Sequence, residues 1–157
     1  MLLMDPMWIL IDEQTGLHVS WYFWLRVLDE VNRATRYGTP FALMLLEGEI
    51  DTPSGKPLKQ LQESTCVVPR AIRSTDLGGS ICPGRVAILL THQDAESAEQ
   101  ARDRILERME AADTGGVRWL PRLLLYPEDA AEISILLTSG WLDADSSPAE
   151  VQLQQEA

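Results

Sequence analysis

Two apolar stretches, residues 77–81 and 85–90, are separated only by Cys82-Pro83-Gly84. A Pro-Gly pair between short apolar runs reads as a β-hairpin, because proline presets one turn dihedral and glycine tolerates the left-handed one. The hairpin fixes the reading of its neighbours. Residues 40–47, PFALMLLE, follow a Gly-Thr-Pro break and read as a buried strand, and residues 117–126, VRWLPRLLLY, read as another, with Pro121 as a point of interruption. Between these strands lie segments of helical character. Residues 58–73 read as a helix with Pro69 near its end, and residues 94–112 place Ala98, Ala101, Ile105 and Met109 on one face. Thr114-Gly115-Gly116 ends the latter, and residues 128–139 read as a short last helix.

The order strand, helix, hairpin, helix, strand is the β-α-β-β-α-β pattern of an α+β, ferredoxin-like sheet with helices packed on one face. It is preceded by a helix over 18–37, where Trp21, Trp24, Leu25, Leu28 and Val31 recur at three- and four-residue spacings and Gly38 is placed to end it. Trp21 and Trp24 read as packing residues on that apolar face, while Trp8 and Trp141, near the two ends, are candidates to cover an interface. Residues 51–57, DTPSGKP, read as a loop, residues 1–11 as an N-terminal extension, and residues 142–157 as a small, polar, acidic tail expected to be disordered.

Charge narrows the partners. The formal net charge of -11 disfavours nucleic acid and anionic membrane surfaces. Of the 13 cations only Lys56 and Lys59 are lysines, and the rest are arginines, whose planar fork suits phosphates and guanine edges. Cys66 and Cys82 make no disulfide framework or metal-ligand spacing, and His18 and His92 read as solvated polar positions. The apolar start, MLLMDPMWILID, carries Asp5 and Pro6 and lacks a basic leader, so the expectation is a cytoplasmic protein.

Several motifs, in order, resemble the GGDEF domains of diguanylate cyclases. They are Asp12-Glu13-Gln14-Thr15-Gly16-Leu17, Arg33-Ala34-Thr35-Arg36-Tyr37-Gly38 before an apolar strand, Ser74-Thr75-Asp76-Leu77 before the hairpin, Val86-Ala87-Ile88-Leu89-Leu90 after it, and Leu125-Tyr126-Pro127-Glu128-Asp129. The resemblance covers about residues 12–139, within a domain taken as 12–141, and implies a nucleotidyl-cyclase-like fold. Gly78-Gly79 is a misleading match to the signature. Aligning the flanking strands puts Cys82-Pro83-Gly84-Arg85-Val86 there instead.

In this register the resemblance implies a degenerate, catalytically inactive member. The signature's metal-binding acid falls on Gly84, Glu47 retains only the first-strand acid, and the last helix lacks the family's phosphate-gripping cations. No metal or cofactor is expected. What survives is the inhibitory-site pattern R-x-x-D: Arg73-Ser74-Thr75-Asp76, five residues before the signature, with Arg104 at the position of the arginine that completes that site and Arg70 as a weaker addition. The resemblance implies a cyclic di-GMP receptor in bacterial second-messenger signalling, acting through ligand-dependent homodimerisation or an unknown protein partner. The residue chemistry suits that ligand, since arginine donates to guanine O6 and N7 or to phosphate, and aspartate accepts guanine N–H groups. The alternatives are a nucleotide-independent interaction module of the same fold and, more remotely, residual nucleotidyl transfer through Glu47.

Overall fold

The computed structural model describes residues 10–112 and 115–142; the expected tail from residue 143, Trp8 and most of the N-terminal extension lie outside them. Among the described residues, five strands and five helices run in the order β1 (His18–Val19), α1 (Ser20–Tyr37), β2 (Phe41–Ile50), α2 (Pro57–Thr65), α3 (Val68–Ala71), β3 (Leu77–Cys82), β4 (Arg85–Thr91), α4 (Ala95–Ala111), β5 (Val117–Tyr126) and α5 (Ala130–Ser139). The sheet order β1-β3-β4-β2-β5 is α+β, with antiparallel pairs among β2–β5 and a parallel β1–β3 pair. Its four long strands have the ferredoxin-like arrangement that the sequence order implies.

The helices occupy both faces of the sheet, not one. α2, α3 and α4 cover the face formed by Ala42, Met44, Leu46, Val86, Ile88 and Leu90. α1 and α5 cover the alternate positions Phe41, Leu43, Leu45, Ala87 and Leu89. This is why β2 and β4 are apolar without alternation: each strand is buried on both sides.

Four expectations are corrected. His18–Val19 is not the first turn of a helix but a short strand, its residues paired with Gly79 and Ser80, so α1 begins at Ser20. The helix expected over 58–73 is two helices parted at Cys66-Val67, because Pro69 cannot donate to the carbonyl four residues earlier and instead sits in the first turn of α3. β5 runs unbroken through Pro121, which pairs with Leu46. As an edge strand it has one side free, where a missing N–H costs little. Finally, the buried face of α1 is Phe23, Trp24, Val27, Glu30 and Ala34, leaving Trp21 60% exposed with Leu25 and Leu28 also in solvent.

That rotation of α1 follows from Gly79, while Gly78 makes room for other residues. A methyl group at Gly79 would lie 2.4 Å from Phe23 Cγ, and one at Gly78 would lie 2.8 Å from Leu17 Cδ2. Gly79 is a notch in β3 into which α1 presses Phe23, Gly78 leaves room for Leu17 and Ile72, and both are distinct from the hairpin turn.

Candidate functional site

The loop between α3 and β3 is folded by its own residues. The Asp76 N–H donates to the Arg73 carbonyl (3.0 Å), and the Arg73 N–H donates to Asp76 Oδ2 (2.8 Å). This reciprocal closure fixes the spacing of R-x-x-D and presents the Arg73 side chain to solvent, with Ser74 and Thr75 also exposed. α4 is started by a reciprocal cap between Asp94 and Ser97 and packs beside α3. Arg104 is thereby carried to the loop, with Nη2 3.6 Å from Asp76 Oδ2. Asp76 is held by its partners, its side chain only 5% exposed. Its ion-pair partner is the Arg104 guanidinium, not that of Arg73, so the Arg73 side chain is not consumed in the simple surface ion pair that i, i+3 spacing would allow.

The electrostatics are unusual for so acidic a chain. Burial lowers the Arg104 pKa from the usual arginine value, the neighbouring Arg73 charge lowers it further, Asp76 opposes them, and Arg108 adds to the lowering. Arg104 Nε is buried and has no hydrogen-bond partner among the described residues. The arrangement sets Arg104 between the charges of Arg73, Asp76 and Arg108, with a buried donor left over. Chemically it can accept an anion or a guanine edge. Arg70 lies on α3, one helical turn before this loop, and is exposed. Arg108, one turn beyond Arg104 on α4, reads from the sequence as a solvated arginine and not as part of the site; its i, i+4 spacing from Arg104 was the available signal.

The hairpin end of the sheet is built differently. Cys82 closes β3, Pro83-Gly84 turns with Gly84 at φ 87°, and Arg85 opens β4, with a register shift between Ser80 and Cys82. Gly84 backs onto Leu61 and the Gly48 carbonyl, so no carboxylate stands at the turn. Glu47 and Arg85 are direct cross-strand partners, with Arg85 Nε 3.4 Å from Glu47 Oε1. Arg85 is buried. Its Nη1 donates to the Trp141 carbonyl (2.7 Å), and its guanidinium lies 5.1 Å from the Trp141 ring centroid. Trp141 is buried here within the chain and does not cover an interface. It is brought in by two successive left-handed residues after α5, Gly140 and Trp141 itself, while Trp24 Nε1 donates to the Gly140 carbonyl (3.2 Å). The sequence offered one signal for this cluster: opposite charges at the facing ends of two apolar strands.

The remaining candidates fall away. Among the described residues, no three His, Cys, Asp or Glu side chains converge to hold a metal ion. Cys66 Sγ donates to the Gln14 carbonyl. His18 is not merely solvated: its Nδ1 is buried without a hydrogen-bond partner among the described residues, and burial lowers its pKa. No helix among the described residues is long and apolar enough to cross a membrane.

No family model matches the chain, and no curated protein matches it. Solved structures do. The GGDEF domain of DgcB from Caulobacter crescentus, in complex with c-di-GMP, is 12% identical, with a TM-score of 0.67 over 88% of this chain and 89% of that one. The isolated GGDEF domain of TpbB (YfiN) from Pseudomonas aeruginosa is 16% identical, with a TM-score of 0.65 over 92% of this chain and 99% of that one. A diguanylate cyclase protein from Thermotoga maritima is 19% identical, with a TM-score of 0.62 over 82% and 98% of the two chains. At such identities the likeness establishes the fold: this chain has the architecture of GGDEF domains.

Proposed function

We propose that the protein is a non-catalytic receptor for cyclic di-GMP, binding the dinucleotide at Arg73, Asp76 and Arg104 with Arg70 at the margin. The observation that carries this reading is the convergence of the Arg73 charge and the Asp76 carboxylate on Arg104, whose Nε is buried and unpartnered among the described residues. A buried donor without a partner is costly and is relieved by an acceptor on a ligand. Cyclic di-GMP supplies both phosphate oxygens and guanine acceptors, while Asp76 can receive guanine N–H groups. The non-catalytic half of the proposal rests on the hairpin end. Glu47, the one acid left at the metal-binding position, is neutralised by Arg85, and Gly84 has no side chain to join it.

The test is calorimetric titration of cyclic di-GMP into the wild type, Arg73→Ala and Arg104→Ala, with GTP turnover in magnesium measured beside it. The expected result is a dissociation constant of about 10 μM or tighter, weakened at least about tenfold in either variant, and no cyclic product from GTP. Absence of binding by the wild type would sink the receptor reading, and product formation would sink the non-catalytic one.

A further inference from the structure

Trp21, Leu25 and Leu28 lie on the solvent side of α1, 60%, 46% and 44% exposed, at spacings of four and three residues. The next step of four reaches Asn32, also exposed. Four positions in a four-three-four rhythm form the narrow seam of a two-helix contact, and an asparagine in such a seam sets register. Nothing in the cyclic di-GMP site uses this stripe, since α1 lies on the sheet face opposite α4.

We propose that this stripe is an interface with a second copy of the chain, α1 packing antiparallel against α1 about a two-fold axis between Leu25 and Leu28. In that arrangement Leu25 meets Leu28 of the second copy. Trp21 meets the second copy's Asn32, an indole N–H opposite an amide oxygen. The charges beside the seam are self-complementary, for Asp29 comes within reach of Arg26 of the second copy, and symmetry makes the pair twice. The outer surface of α1 is also where two such acidic chains repel least: its exposed charges are Arg26, Arg33 and Arg36 against Asp29, in a chain of net charge -11.

The area sets the strength. An 18-residue helix is about 27 Å long. A contact strip of about 15–20 Å width along it covers on the order of 400–550 Å² per copy, at the small end of specific interfaces. The dimer is therefore weak, with a dissociation constant on the order of 10–100 μM. High local concentration would be needed to populate it fully.

Sedimentation equilibrium without nucleotide, from about 5 to about 500 μM so as to bracket that constant, reads the proposal directly. The wild type should move from monomer to dimer mass, while Leu25→Glu with Leu28→Glu stays monomeric with an unchanged thermal midpoint, these side chains being exposed. Asp29→Arg should weaken association, and adding Arg26→Asp should restore it. Arg73→Ala should dimerise like the wild type, so failure here and failure of the receptor reading are separable. A wild type that stays monomeric throughout, or a dimer indifferent to the glutamates, overturns the proposal; restoration failing in the charge-swapped double variant overturns the antiparallel arrangement.

Discussion

Replacing Gly79 by alanine tests whether this glycine of β3 is a packing notch for Phe23. The added methyl would stand 2.4, 2.6 and 2.7 Å from Cγ, Cβ and Cδ2 of Phe23. Favourable carbon contacts lie at about 3.5–4.0 Å, so the overlap exceeds 1 Å. Rotating Phe23 about χ1 cannot relieve it, because Cβ is itself among the clashing atoms, and Phe23 is fully buried between α1 and the sheet. The helix must back away from β3, loosening Trp24 and Val27 with it. Overpacking of this kind costs about 2–4 kcal/mol. With a urea slope of about 1–3 kcal/mol/M, the unfolding midpoint should fall by about 1–2 M. Gly78→Ala is the internal comparison. Its added methyl meets Leu17 Cδ2 at 2.8 Å, the end of a side chain that can swing, so its cost should be nearer 1 kcal/mol. Urea denaturation of both variants, with the slope checked for two-state behaviour, decides the matter. A midpoint change in Gly79→Ala no larger than that of Gly78→Ala would refute the notch, and with it the account of why α1 buries Phe23 and exposes Trp21.

Two further predictions concern the rest of the molecule. Arg85→Met keeps the bulk of the side chain but removes the donor to the Trp141 carbonyl and the partner of Glu47; with Glu47 41% exposed and able to rehydrate, the loss should be about 2 kcal/mol, or about 4–8 °C in thermal midpoint. An unchanged midpoint would mean that the end of α5 holds its place without the arginine. His18 is pushed below its ordinary value of 6.5, chiefly by burial, with the Leu10 backbone opposing and the Arg26 charge assisting. The unfolded chain therefore takes up the proton first: this contribution to stability is whole above pH 6.5 and declines as pH falls toward the lowered value. The thermal midpoint of His18→Gln should lack that part of the acid-side slope, and identical slopes in the two proteins would reject the assignment.

Legibility followed the range of the interactions. The hairpin at Cys82-Pro83-Gly84, the capped helix α4 and the closed turn of Arg73-Ser74-Thr75-Asp76 are all made by residues within a few positions of one another, so sequence spacing carries them. Arg104 is harder, because the loop and α4 are separated by the whole hairpin; only its correspondence in a resemblance brought it to Asp76, and its lone buried Nε is visible only in three dimensions. The second face of the sheet was misjudged because apolar runs in β2 and β4 show that burial is complete without saying which elements cover them.

By itself the sequence determined the order of the four long strands, the ferredoxin-like core and the place where the hairpin turns, since these follow from local backbone preference and hydrophobic period. Tertiary structure decided which side of α1 faces inward. That helix has apolar residues on both of its long sides, with Trp21, Leu25 and Leu28 against Phe23, Trp24 and Val27, so periodicity alone does not choose between them. The choice is made by space: Phe23 fits where Gly79 lacks a side chain. Arg85 is buried for the same kind of reason. Its partners Glu47 and Trp141 stand 38 residues before and 56 residues after it, and only the folded sheet and the left-handed turn after α5 bring them to one guanidinium.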